Sequence, residues 1–374
     1  MLADLGADVI KVEDVNRGDY LRWSSKSLSA AEPSVASAAF VALNRNKRSI
    51  SIDLKDERGR KAMTRLATEV DVVLESFRPR VMDRLGVGHR ALRAANPRLV
   101  YCSITGYGVS GPDARRSGHD LNFLAGTGVL ALSDDRDAAP GPPPVQVADL
   151  SSALTAAVAI LAAIRERDRS GEGQVVNVSM SDCLLSWLGP VVAEALATGT
   201  PPRPGDLRLA GNLVCYRPYA CRDGWVTLGA LEPKFWVAWC RGVGRDDLIP
   251  FQNEAPGTRV HDEVRAIFAE RTRAEWDAFG VEHDCCVASV LELDEVLRSP
   301  GSAADGMIVD GEQPGVTHPV KQVAPPVKLG RTPADAMRMP APTLGEHTRE
   351  VLLGLGYDEA EVDRLAGNGV IRLG

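Results

Sequence analysis

The stretch NRNKRSISIDLKDERGRKAMTRLATEVDVVLESF, residues 44–77, changes its periodicity twice. Residues 49–54 alternate as a strand does, residues 56–68 have helical spacing, and residues 70–75 form a short apolar run of strand length. Residues 99–104 make another such run. Strand and helix alternating in this way predict an α/β fold with a mostly parallel sheet and helices on both faces. Upstream, MLADLGADVIKVE reads as the end of a helix, a stop at Gly6 and a strand over residues 8–13. A β-α-β unit would place one more strand before that helix. The expectation is therefore a start codon placed too far downstream, or a truncated protein.

Downstream, residues 151–165 read as a strongly apolar helix, and GQVVNVSMSDCLLSWLG as a strand entering a helix. Its longest apolar run, residues 153–164, is shorter than a membrane span, so a buried helix is expected. ATGTPPRPGD has the composition of a linker. CYRPYACRDGWVTLGAL reads as a hairpin turning at Arg222-Asp223-Gly224. Helices follow to about Leu297, and a Pro/Gly-rich return leads to a helical tail. The chain of 374 residues accommodates two domains. The expected division is a large domain over 1–190, a linker over 191–215, a small domain over 216–305, and 306–374 rejoining the large domain.

A net charge of −7 argues against nucleic acid or an anionic membrane as the main partner. Seven scattered cysteines, with no C-x-x-C pair and no zinc spacing, are expected in a reducing cytoplasm. No Walker-type or G-x-G-x-x-G loop supports an ATP or nicotinamide site.

Four acidic or imidazole groups can do chemistry. Asp120 is expected to cap a helix beginning at Leu121, with His119 beside it and Gly118 allowing the tight turn. The plain alternative is a capping aspartate next to a solvent histidine. The sharper one has the helix start hold a negative oxygen while the imidazole moves a proton. Asp149 precedes the apolar helix, as an N-cap or as a nucleophile or acid/base. Glu232 lies before Pro233, which suits a first helical turn. Arg45, Lys47, Arg48, Lys55 and Arg78 either solvate a face or bind phosphate.

LADLGADVIKVE, NRNKRSISIDLK, DVVLESFRPRVMDRLG, NPRLVYCSITGYGVSGP, SGEGQVVNVSMSDCLL and PTLGEHTREVLLGLGY together closely resemble the family III CoA-transferase superfamily, also called CaiB/BaiF, which includes the α-methylacyl-CoA racemases. The resemblance covers nearly the whole chain. The racemase branch carries a G-H-D-[IL]-N-[YF] motif, an aspartate about thirty residues later and a glutamate in G-A-[IL]-E-P. Here these positions are Gly118-His119-Asp120-Leu121-Asn122-Phe123, Asp149 and Gly229-Ala230-Leu231-Glu232-Pro233. The transferases typically lack the histidine and use the aspartate as an acyl-accepting nucleophile. GDYLRW and ALNRNKRS look transferase-like, and Leu-Ser-Ser-Ala replaces the glycine-rich run common after the racemase aspartate.

The resemblance implies a Rossmann-like large domain with a parallel sheet, a smaller α+β domain and an interlocked homodimer. It places the active site between the large domain of one subunit and the small domain of the other. It also implies a further N-terminal segment. The substrate would be an acyl-CoA, with no separate cofactor, metal, nucleic acid or membrane partner. His119 and Asp149 would exchange the α-proton, Glu232 of the other subunit would orient His119, and Asp120 would fix the turn. The CoA nucleotide would lie near Ile52, Asp53, Leu54, Lys55 and Arg78, with Arg45, Lys47 and Arg48 close by and the 118–123 segment at the acyl end. A CoA-transferase working through Asp149 and a non-catalytic acyl-CoA-binding protein remain the alternatives.

Overall fold

The computed structural model describes residues 1–28, 37–133, 141–298 and 306–374. The chain forms two compact units: Met1–Arg115 with Ala153–Val178 and Leu297–Gly374, and Arg116–Ser152 with Ser179–Val296. The fold is α/β.

In the first unit, strand β1 (Val9–Glu13) pairs in parallel with β2 (Lys47–Ile52), in register Val9 to Lys47 through Glu13 to Ser51. Helix α1 (Ala38–Asn44) precedes β2, and α2 (Glu57–Glu69) follows it. Asp56 caps α2 by accepting the Arg58 N–H at 2.8 Å. Gly59 lets α2 lie against the end of β2, because a Cβ there would stand 2.0 Å from the Asp53 carbonyl oxygen. Strand β3 (Val72–Glu75), short helices α3 (Val81–Arg84) and α4 (His89–Ala95), and β4 (Val100–Thr105) come next. β3 and β4 pair in parallel, Val72 opposite Val100 and Glu75 opposite Ser103. Gly6 adopts φ +105 where the expected helix end stands, but residues before it form turns only.

Helix α5 (Asp120–Gly126) belongs to the second unit, and α6 (Val147–Ser170) begins there and continues into the first. β5 (Val175–Ser179) adjoins β4. Helices α7 (Met180–Trp187) and α8 (Gly189–Thr198) follow, so helix occupies the start of the expected linker. The hairpin β6 (Tyr216–Cys221) and β7 (Gly224–Gly229) closes with Cys221 opposite Gly224, as the Arg222-Asp223-Gly224 turn predicts. Helices α9 (Pro233–Gly242), α10 (Arg259–Ala269) and α11 (Arg273–His283), and β8 (Val287–Ser289) beside β7, complete the second unit, and α12 (Leu293–Arg298) begins in it and ends in the first. Its core is an aromatic stack in which Phe268 lies 4.7 Å from Tyr219, 5.4 Å from Trp239 and 4.5 Å from Trp276, centroid to centroid.

The chain returns to the first unit through the antiparallel pair β9 (Ile308–Gly311) and β10 (Val320–Val323). Helices α13 (Thr348–Gly354) and α14 (Glu359–Gly367) then pack Leu352 and Val362 into the core shared by Ile50, Leu66 and Tyr101. The last strand, β11 (Ile371–Arg372), joins β2 antiparallel, Ile371 opposite Ile52.

Helix α6 departs from expectation. It runs over 24 residues with a mean hydropathy of 2.0 in its most apolar window, of which 33% is buried. By length and composition it could cross a membrane. It is not simply a buried helix: Ala156, Ile160 and Ala163 are buried on one face, while Leu150, Leu154, Val158 and Leu161 form an exposed apolar stripe at helical spacing. The helix outlasts its apolar run because Arg167, itself buried, bonds the Asp71 carboxylate at 2.6 Å and ties down the last turns.

Candidate active site

His119, not Asp120, is the N-cap of α5, with extended φ −120 and ψ 175. Its own N–H donates to the Asn122 Oδ1 at 3.0 Å, which fixes the entry to the helix. Phe123 is buried beneath this turn, and Leu121 and Asn122 are exposed. The imidazole of His119 is carried on an exposed residue.

Asp120 therefore does not cap its own helix. Its Oδ1 accepts the N–H groups of Ala148 at 2.7 Å and Asp149 at 3.1 Å. These are the second and third residues of α6, whose first-turn amides lack helical partners. Asp120 thus satisfies the start of a helix almost thirty positions away and brings the α5 and α6 starts together. Asp149 stands inside the first turn of α6 and is not its cap.

This arrangement sets the electrostatics of Asp149. Burial raises its pKa above the ordinary carboxylate value, the Asp120 charge raises it further, and His119 acts in the opposite direction. Among the described residues the Asp149 carboxylate accepts no hydrogen bond. His119, Asp120 and Asp149 thus form one cluster: an exposed imidazole, an anchoring carboxylate, and a carboxyl group whose proton is held more tightly than usual. An imidazole and a carboxyl group on one frame are groups of the kind used in general acid–base chemistry.

Glu232 is the N-cap of α9, with Pro233 at its first position. Among the described residues it pairs with neither His119 nor Asp149. Its charge acts instead on the exposed Cys286 thiol, as do those of Asp284 and Lys234; burial and the two acidic groups push that thiol up. Cys286 has φ +57 and its carbonyl accepts the Gly229 N–H at 2.9 Å, just before the G-A-L-E-P segment. Nothing in the spacing of the chain signals this neighbour of Glu232, because it arrives from a distant loop.

The proposed nucleotide residues divide sharply. Ile52 is buried in β2 beside Ile371. Asp53 accepts the Lys55 N–H at 2.8 Å, shaping the turn in which Leu54 and the exposed Lys55 stand. Beside β11 a cleft of about 320 Å³ is lined by Val15, Asn16, Gly369 and Arg372, among others. Arg78 is exposed on the loop leaving β3. Arg45, in contrast, is buried: Nε and Nη2 donate to the Asp4 carboxylate at 3.1 Å each, and Nη1 to the Val323 carbonyl at 2.7 Å. Lys47 donates to Asn44 Oδ1 at 2.9 Å, and burial lowers its pKa to about 8. Arg48 bridges Asp8 and Glu350. In this chain the basic cluster is occupied by its own acids and amides.

The CoA-transferase family III model matches residues 1–348. The chain is 32% identical to human alpha-methylacyl-CoA racemase, over 99% of this chain and 92% of that one. It is 34% identical to succinate–glutarate CoA-transferase of Agrobacterium fabrum, over 95% and 90%. The crystal structure of a CaiB/BaiF family protein from Brucella suis superimposes with a TM-score of 0.81 and 28% identity, covering 95% of this chain and 93% of that one. Racemase and transferase relatives thus lie at similar identity. With motif, fold and relatives in agreement, the chain belongs to the CoA-transferase family III.

Proposed function

We propose that the protein is an acyl-CoA racemase, epimerising the α-carbon of a 2-methyl-branched acyl-CoA. The observation that carries this reading is the His119–Asp149 pair, drawn together by the bonds from Asp120 to the α6 amides. One member removes the α-proton from one face, leaving an enolate. The other returns a proton to the opposite face, and the roles exchange with substrate configuration. The Asp120 and Leu121 amides at the start of α5 are the donors offered to the developing oxyanion. A carboxyl group with a raised pKa is suited to deliver a proton as well as to accept one.

The nucleotide is assigned to Ile52, Asp53, Leu54, Lys55 and Arg78. Arg45 serves the scaffold in this reading. The active form is a homodimer in which Glu232 of one subunit meets His119 of the other, and the exposed stripe of α6 gives a second copy an apolar surface to cover. Seven free thiols favour a cytoplasmic setting.

The rival reading is a CoA-transferase. There the Asp149 carboxylate attacks the donor thioester carbonyl and expels CoA thiolate, which attacks the Asp149 carbonyl of the mixed anhydride, releasing the donor carboxylate and leaving an aspartyl-CoA thioester. An acceptor carboxylate then expels the thiolate from that thioester, and the thiolate attacks the acceptor carbonyl of the new anhydride, giving acceptor-CoA and free Asp149. The Asp149 carboxylate, which accepts no hydrogen bond among the described residues, supports this as a second use of the site. The variants H119A and D149N separate the readings. Racemase chemistry predicts that both abolish epimerisation. Normal CoA transfer by H119A would overturn the racemase reading. CoA-thioester binding without turnover of either kind would overturn both enzymes.

A further inference from the structure

Glu75 is the last residue of β3 and is only partly exposed. Its Oε1 accepts the Ser103 hydroxyl, directly opposite on β4. Its Oε2 accepts the Phe77 N–H at 2.8 Å. The charge that acts on it is the like charge of Asp83, and Tyr101 and Cys102 are its titratable neighbours on β4. A half-buried carboxylate facing another acid is costly to keep unless its acceptor power is used. Here two donors use it, at the point where the chain leaves the sheet.

The leaving segment is loop 76–80. It is pinned first by the Glu75–Phe77 bond and again by the Val81 N–H donating to the Arg78 carbonyl at 3.1 Å. Arg80 adopts φ +68, the left-handed conformation that reverses the backbone just before α3. Arg78 sits between the two pins, and the Phe77 ring is half exposed beside it. Glu75 is at the carboxyl end of β3, and Ser103 opposite it lies two residues before the carboxyl end of the parallel β4, the side at which open α/β sheets receive ligands.

We propose that Glu75 is a positioning residue for the CoA nucleotide, holding loop 76–80 so that Arg78 is aimed at the phosphates. This rests on the assignment of Arg78 to the nucleotide made above. Glu75 touches no substrate; it acts through the Phe77 amide and the turn that carries Arg78.

The test is a double-mutant cycle on the full chain with E75A, R78A and the pair, plus E75Q as the conservative variant. Two quantities are read: the Kd for CoA by calorimetry, and kcat/KM for an acyl-pantetheine thioester, which keeps the acyl end and lacks the nucleotide. R78A is expected to weaken CoA about tenfold, as loss of a charge-assisted contact does. E75A should weaken it several-fold, and the pair no more than R78A alone. E75Q, which retains one acceptor oxygen, should fall between wild type and E75A. Acyl-pantetheine turnover should change in none of them. Additive losses in the pair, or an equal loss with acyl-pantetheine, would show that Glu75 only supports the fold and would overturn the inference. Weakened CoA binding in R78A with none in E75A overturns the inference alone. Unchanged CoA binding in R78A overturns the nucleotide placement and the inference with it.

Discussion

Two charged stretches of this chain are candidate sites in the sequence, and the structure treats them in opposite ways. Arg45, Lys47 and Arg48 are matched locally to Asp4, Asn44, Asp8 and Glu350. In the other stretch the Asp120 carboxylate is matched to two backbone amides, while His119 is exposed and the Asp149 carboxylate accepts no hydrogen bond among the described residues. The first pattern lowers the energy of charges that the fold has enclosed. The second holds two titratable groups in place without neutralising them. Charge alone does not mark a site; charge left available on a fixed frame does.

Substitutions in the two stretches should therefore fail in different ways. The largest effect is expected for D149N, which should lower the epimerisation rate by about 10⁴-fold, the upper range for loss of a general acid–base. Binding of CoA should survive, and steady-state kinetics beside calorimetry checks both. R45A should spare the chemistry but cost about 3–5 kcal/mol of stability, because it strands the buried Asp4 carboxylate. Urea unfolding measures this. If R45A instead lost CoA affinity at unchanged stability, the contrast between the stretches would collapse.

A subtler change tests the frame itself. D120N keeps an acceptor oxygen for the Ala148 and Asp149 amides but removes the charge that helps raise the Asp149 pKa. For the direction in which Asp149 is the base, activity falls as pH falls through that pKa. The acid limb of the pH–rate profile should therefore move to lower pH in D120N. Stability offers a smaller signal. Because the folded-state pKa of Asp149 lies above its unfolded value, folding binds protons between the two, and stability falls as pH rises through that interval. D149N should raise the neutral-pH Tm slightly, with the gain vanishing in acid below the unfolded carboxylate range. Smallest of all is R48A, whose partners Asp8 and Glu350 are well exposed; it should cost about 0–1 kcal/mol.

Much of the frame is legible in the chain itself. The alternation in residues 49–54 locates β2 within two residues, and Asp56 and the Asp223-Gly224 turn mark a helix start and a hairpin. These features are local, and local chemistry decides them. The failures are non-local. Asp120 reads as a cap for its own helix because its partners, Ala148 and Asp149, are distant in sequence. Arg45 reads as a phosphate ligand because Asp4 is some forty positions away. The extent of α6 is hidden because Arg167 looks like a charged terminus, whereas its bond to Asp71 keeps it in the helix. His119, Asp149 and Glu232 stand out as a set only through the family resemblance, since in the sequence alone each has a plain reading, as a solvent histidine or as an acid at a helix start.

The central claim is that His119 and Asp149 move an α-proton. Incubating the purified protein with a 2-methylacyl-CoA in deuterated water, without an acceptor acid, and following the α-proton by NMR tests it directly. Loss of the α-proton signal with the thioester intact is expected, and no loss in H119A. A persistent α-proton in protein shown to bind CoA would contradict it.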